Sequence, residues 1–269
     1  MKKLLAAFLA SALSISFIAG CSNANDEQQA EGDTQQKATF TVGFDQNFPP
    51  YGFKGEDGEF TGFDLELAAE VANRLGREIV YQPVDWDAKD FELESGAIDC
   101  IWNGFTMTGR EDGYTWSEPY MNNTQVFAVR ATDDINSAED LAGKIVAVQT
   151  DSSAQKALDE PENADLKASF ADLVICGEYN AAFMDLEAGA VDAIAMDVGV
   201  ARYQINGRED EFKILDEEIA SEQYAVGFKL GNTELRDEVQ NALDEMAADG
   251  TVAEISNKWF GEDVTILGK

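Results

Sequence analysis

The chain has no histidine among its 269 residues. That excludes histidine-based triads, imidazole proton shuttles and His-ligated zinc. Positive charge is scarce as well. Nineteen Lys and Arg stand against 52 Asp and Glu, a formal charge of −33. Nucleic-acid phosphates would repel such a chain, which argues against nucleic acid as a partner. Cysteine is limited to three positions, and long apolar runs are confined to the amino terminus. No clustered ligand set is visible, so no metal and no other cofactor is expected. Hydrophobic residues still make up 45% of the chain, enough to bury a core. The length allows one large domain or two lobes.

The apolar run at the start is a leader. Lys2 and Lys3 precede Leu4 to Ile18, a charged n-region followed by an apolar h-region. It ends in Ile18-Ala19-Gly20-Cys21, small residues before a cysteine, which matches the bacterial lipobox. An ordinary signal peptide with an incidental cysteine is the plain alternative, and the cysteine's place at the expected cleavage point disfavours it. Residues 1–20 are therefore expected to be removed and Cys21 to carry lipid. Removal takes away two lysines and leaves a still more acidic chain. Anionic headgroups would not hold such a chain, so the lipid must. Residues 21–37 contain SNANDEQQAEGDTQQK, with no large apolar side chain. That composition is expected to stay disordered and to act as a tether.

The stretch from Trp86 to Tyr120 organises the rest. Asp87 to Ser95 is predicted as a short amphipathic helix with Phe91 and Leu93 on its apolar side and Gly96 as its stop. Ala97 to Trp102 reads as a buried strand. The chain then opens into Asn103-Gly104-Phe105-Thr106-Met107-Thr108-Gly109-Arg110. A loop just past the carboxyl end of a strand is where open α/β sheets bind ligands. Gly104 permits close approach to the backbone. Thr106 and Thr108 offer hydroxyls, and Arg110 offers a fork that suits a carboxylate. A solvated loop with a surface arginine is the plain alternative, and this loop alone does not exclude it.

The flanking chain repeats a strand–helix order. Thr39 to Phe44 is a strand, Asp45 to Tyr51 a rigid turn around Pro49 and Pro50, and Gly62 to Gly76 holds a helix. Glu78 to Gln82 is a further strand. After Val129 comes a polar break and a second series of the same kind. Lys144 to Gln149 is a strand, Thr150 to Ser153 a turn and Ala154 to Leu158 a helix. Leu173 to Cys176 and Val191 to Met196 are strands, with helix Tyr179 to Ala188 between them. Tyr224 to Phe228 is a strand that recrosses to the first series, followed by helices from Asn232 to Ala248 and up to Phe260. This order fits doubly wound sheets. Ser152 and Ser153 stand where a helix N-terminus exposes amides, and ordinary capping explains either one alone. Asp197 follows a strand as the Asn103–Arg110 loop does, and its plain alternative is a cap of the next helix. Phe48 and Trp86 would by composition belong to the core.

The motifs together resemble the solute-binding proteins of ABC transporters for polar amino acids (bacterial extracellular solute-binding proteins, family 3). The resemblance rests on Gly43-x-Asp45, Phe48-Pro49-Pro50-Tyr51, Gly62-Phe63-Asp64-x-Glu66-Leu67-Ala68 and Gly104-x-Thr106-x-Thr108 with Arg110. It continues through Trp116-Ser117-Glu118-Pro119-Tyr120, the run around Asp197, and Lys258-Trp259-Phe260-Gly261. Two departures stand out. Only Gly109 separates Thr108 from Arg110 where the family has two residues. Asp151 replaces a glycine before Ser152. An acid there is unfavourable beside a carboxylate site unless it points away.

The resemblance implies an α/β, two-lobed, periplasmic-binding-protein-like type II fold with two hinge crossings. Residues 38–127 and 223–269 would form the first lobe and residues 128–222 the second. The ligand would be an amino acid held in the cleft. Arg110, Thr106 and amides near Gly104 would take its carboxylate, with Ser152 or Ser153 assisting. Asp197, with Asp45 as a further candidate, would take its ammonium. Phe48 and Trp86 would face its side chain. The partners implied are an ABC transporter permease and, through Cys21, the outer face of the cytoplasmic membrane, with the protein a monomer. Cys100 and Cys176 fall in strands of separate lobes and are expected as buried free thiols. Two other classes use this fold. One is an enzyme such as a dehydratase of a cyclic amino acid, which needs a placed general acid, and no such motif is recognisable. The other is a sensor module, disfavoured because no transmembrane or signalling segment follows Lys269. A non-enzymatic binder is the expectation.

Overall fold

The computed structural model describes residues 38–269. The leader, the tether and Cys21 lie outside the described residues. The first strand, Thr39–Phe44, buries Phe40, Val42 and Phe44 completely. It pairs in parallel with Glu78–Pro83 on one side and with Cys100–Ile101 on the other. Gly227–Phe228 and Thr115–Trp116 add antiparallel neighbours and complete a five-stranded sheet. Helix Phe63–Arg74 covers it, with Phe63, Leu67 and Val71 fully buried one turn apart. The carboxyl-terminal helices Thr233–Asp249 and Thr251–Phe260 return to pack on that helix.

A second five-stranded sheet forms from the middle of the chain. Ile145–Gln149 lies between Asp172–Cys176 and Ala193–Asp197, all parallel. Met121–Arg130 and Phe212–Tyr224 join antiparallel. The chain leaves the first sheet after Thr115–Trp116 and comes back to it with Gly227–Phe228. The two strands that make these passages pair with each other, Met121 opposite Tyr224 and Arg130 opposite Phe212. The crossings are thus one hydrogen-bonded ribbon, not two independent linkers. Among the described residues no helix is long and apolar enough to cross a membrane.

Several expectations need correction. Phe91 is 74% exposed, while Lys89 is 1% exposed. Lys89 and Leu93 are one turn apart on helix Lys89–Ser95 and share its inner face, which turns Phe91 outward. The strand expected at 224–228 is split, because Tyr224 ends the long strand and Gly227 begins a new one in the other sheet. The long strand Phe212–Tyr224 was not anticipated. Its sequence is rich in acids, and register shifts between Ile214 and Ala220 break the alternation that marks a strand. The turn after Asp45 carries a small sheet of Asn47–Phe48, Gly52–Lys54 and Phe60–Thr61. Cys100 is a buried free thiol, but Cys176 is only half-buried.

Candidate functional site

A narrow, nearly closed cleft with a cavity volume of ≈ 20 Å³ lies between the two sheets. Asp45, Phe48, Trp86, Gly104 and Thr106 line it from the first, and Ser152, Ser153 and Asp197 from the second. Every residue expected in the cleft therefore lines it except Arg110. Asn103 and Gln149 join them. A larger hollow, ≈ 1130 Å³ and lined by Arg202, Tyr203 and Trp259 among others, opens beside the crossing strands. The charged and hydroxyl groups considered above converge on the smaller cleft, and it is taken as the candidate site.

Strand ends deliver the acids. Asp45 follows Thr39–Phe44, and its Oδ1 accepts from the Asn47 amide at 2.8 Å. Its Oδ2 accepts from Gln149 Nε2 at 2.7 Å, a bond between the two sheets. Burial pushes the Asp45 carboxyl up, and these donors offset only part of that. Asp197 closes strand Ala193–Asp197 and stands at the N-cap of helix Val198–Ile205 without capping it through its side chain. Its Oδ1 instead accepts from Asn123 Nδ2 at 2.7 Å, Gln125 Nε2 at 2.8 Å and the Tyr224 hydroxyl. Its Oδ2 takes no hydrogen bond among the described residues. Burial first, and then the neighbouring Glu222 carboxylate, raise the Asp197 carboxyl above its usual range.

The loop expected to hold a carboxylate is built differently from its sequence reading. Gly104 adopts φ +55°, and a Cβ there would stand 3.0 Å from Phe48 and 3.2 Å from Tyr224. Its N–H donates to Asp64 Oδ2 at 2.5 Å, so what Gly104 offers the cleft is room. Asp64 is fully buried and also accepts from the Tyr120 hydroxyl at 2.8 Å. The Thr106 hydroxyl donates to Glu222 Oε1 at 2.9 Å. The shortened Thr108–Arg110 segment closes through Gly109 at φ +74° and a 2.8 Å bond from Arg110 N–H to the Met107 carbonyl. Arg110 then lies over the Phe105 ring at 5.5 Å. Its Nη1 donates to Ser153 Oγ at 2.9 Å and to the Thr106 carbonyl at 3.3 Å. The guanidinium stands at the edge of the cleft and reaches it through Ser153.

Capping explains Ser152, whose hydroxyl accepts from the Gln155 amide at 3.1 Å. Asp151, the acid in the glycine position, holds φ +53°. Its carboxylate is turned to the Lys89 ammonium, which also donates to the Trp86 carbonyl at 3.2 Å and lies 5.1 Å from the Trp86 ring centre. Several of these residues escaped the sequence reading. Asn123 and Gln125 were legible in principle, since amides two apart on a strand share a face. Glu222 and Tyr224 have the same spacing on the partner strand. Asp64 stands in a motif with no role attached, and Lys89 gives no signal, because one buried charge on a helix looks like any surface charge.

A family described as bacterial extracellular solute-binding proteins, family 3, matches residues 40–262. The chain belongs to that family. Its fold is the two-lobed type II periplasmic-binding fold, each lobe a sheet with helices and the two joined by two crossings. L-cystine-binding protein TcyA of Bacillus subtilis is 32% identical over 275 residues, covering 98% of this chain and 99% of the relative. An ABC uptake transporter substrate-binding protein from Streptococcus pneumoniae, solved with bound histidine, matches with TM-score 0.81 and 34% identity. That match covers 85% of this chain and 94% of that one. An ancestral amino acid-binding protein, a precursor of cyclohexadienyl dehydratase, matches with TM-score 0.75 and 30% identity over 83% of this chain and 96% of its own. The same fold thus serves a precursor of an enzyme, and fold alone does not separate binder from catalyst.

Proposed function

We propose that this protein captures an amino acid between its two lobes and hands it to an ABC transporter permease for import. The observation that carries this reading is the division of charge across the cleft. Asp197 keeps one carboxylate oxygen unengaged in the second lobe. The Arg110 guanidinium, from the first lobe, stands at the cleft edge against Ser153. A zwitterion carries the two complementary charges on one molecule. Its ammonium would meet Asp197, with Asp45 as a further acceptor. Its carboxylate would meet Arg110, Ser153 and Thr106. Phe48 and Trp86 would flank its side chain, Gly104 would leave room for its backbone, and Ser152 would support the turn that carries Ser153.

Binding without turnover is the reading the relatives support, since those matched at this similarity carry the names of binding proteins. The proposed lobes are residues 38–127 with 223–269, and 128–222, although the crossing strands Met121–Arg130 and Phe212–Tyr224 both pair in the second sheet, so the boundary runs through them. Lipid on Cys21 would anchor a monomer on the outer face of the cytoplasmic membrane, with residues 21–37 as its tether. The relatives' names make L-cystine and histidine the first ligands to try. A thermal-shift screen of amino acids tests the reading. At one hundred times its dissociation constant a specific ligand should stabilise by about 2.7 kcal/mol. A flat screen over all amino acids, cystine included, would overturn it.

A further inference from the structure

One edge of the cleft is closed by a seam of contacts between the lobes. Lys89, Gly109 and Arg110 come from the first lobe, and Asp151, Ser153 and Lys156 from the second. The Lys89 ammonium pairs with the Asp151 carboxylate. Arg110 Nη2 donates to the Asp151 carbonyl at 3.2 Å, and Nη1 to Ser153. The Lys156 ammonium donates to the Gly109 carbonyl. In a chain with 19 cationic side chains and a charge of −33, three cations meet on this one seam. Two acidic bodies brought together repel, and cations along their junction offset that.

Lys89 is the least ordinary of the three. A lysine is almost never fully buried unless paired. Here 1% of its side chain is exposed, against 52% for Asp151. Its remaining contacts, the Trp86 ring and carbonyl, do not supply a counter-charge. Asp151 in turn occupies a left-handed backbone conformation that favours glycine. Its N–H donates to Gln155 Oε1 at 2.6 Å, which fixes the turn. An aspartate in that conformation is unfavourable locally, so its side chain must return something. The visible return is the charge it gives Lys89 across the cleft.

We propose that Lys89 and Asp151 are positioning residues, an ion-pair latch that favours the closed arrangement of the lobes before any ligand is bound. Their pairing holds the Trp86 wall of the first lobe against the turn that carries Ser153, and so assembles the Arg110 corner. The proposal rests on the two-lobed binding reading above, but it concerns the empty protein and its test needs no ligand.

Asp151→Gly, Lys89→Met and the double variant separate the latch from a merely structural role. Small-angle scattering of the ligand-free protein reads closure, and thermal melting reads integrity. Asp151→Gly suits the left-handed turn, so its melting temperature should hold or rise. It also leaves the Lys89 charge buried and unpaired, which opening would hydrate. The radius of gyration should therefore increase. Lys89→Met keeps the apolar stem and should open the protein less, because Asp151 is half exposed already. The double variant should be more closed than Asp151→Gly alone, since no unpaired buried cation remains. A radius of gyration identical in all four proteins would overturn the latch. So would a double variant more open than Asp151→Gly, or an opening that appears only with a lowered melting temperature.

Discussion

Asp197 and Glu222 share the same two amide donors. Asn123 Nδ2 lies 2.7 Å from Asp197 Oδ1 and 2.6 Å from Glu222 Oε1. Gln125 Nε2 lies 2.8 and 2.7 Å from the same oxygens. Glu222 sits on the strand that returns to the first lobe, so the acid proposed for the ligand's ammonium is wired to the hinge. Glu222 this close disfavours the charge on Asp197. A cation entering beside Asp197 would relieve that.

The first prediction is a pH dependence of affinity. Asp197 is raised by burial and by Glu222, with Tyr224, Tyr51, Tyr179, Asn123 and Gln125 as its other near neighbours. An ammonium binds its ionised form, so binding should strengthen as pH rises through the Asp197 pKa and should release a proton below it. Calorimetry in buffers of different ionisation enthalpy would read that proton. Asp197→Asn should weaken binding and flatten the profile. Glu222→Gln should shift the profile to lower pH, because it removes the charge that resists ionisation.

The second concerns Arg110. Truncating one member of a buried charged pair costs on the order of 2–5 kcal/mol. At about 1.4 kcal/mol per tenfold, Arg110→Ala should weaken binding at least tenfold. Arg110→Lys should also lose affinity, since an ammonium cannot reach both Ser153 and a carboxylate as a planar fork does. Unchanged affinity in both would take Arg110 out of the site.

The third concerns stability. Burial pushes the Asp64 carboxyl from its usual 3.8 up to about 7. The folded state then keeps a proton that the unfolded state has lost. Stability should fall as pH rises from 3.8 to about 7 and level off above that. Asp64→Asn should flatten part of that slope in melts followed across the same range. An unaltered slope would mean that Asp64 titrates normally.

The fourth lies at the amino terminus. Cys21→Ala should move the protein from membrane to soluble fractions without altering ligand affinity. A variant that stays with the membrane would rule out the lipid on Cys21.

Much of this site was legible because strand ends are legible. Asp45, Gly104 and Asp197 each follow a short apolar run, and a residue in that place must face the junction of two lobes. What the sequence could not give was the partner of each charge. The Arg110 guanidinium meets Ser153, which depends on a left-handed Gly109 and on a contact 43 positions away. Phe91 is expected on the apolar side and nothing marks Lys89 for burial, because a seven-residue helix carries too few positions to fix its phase. Asp64 looked like a motif residue with no task until its bond to the Gly104 amide was visible. Asp151 looked like a liability, and only its distant partner explains where its charge goes.

The central claim is that one zwitterion is gripped at both ends by opposite lobes. Calorimetric titration of the wild type with the amino acid found in the screen, and with its decarboxylated and desamino analogues, tests it most directly. Each analogue leaves one corner of the cleft with an unpaired charge. Each should bind at least about tenfold more weakly than the parent, since an unmatched buried charge costs on the order of 2–5 kcal/mol. An analogue lacking either charge that binds as tightly as the parent amino acid would contradict the account.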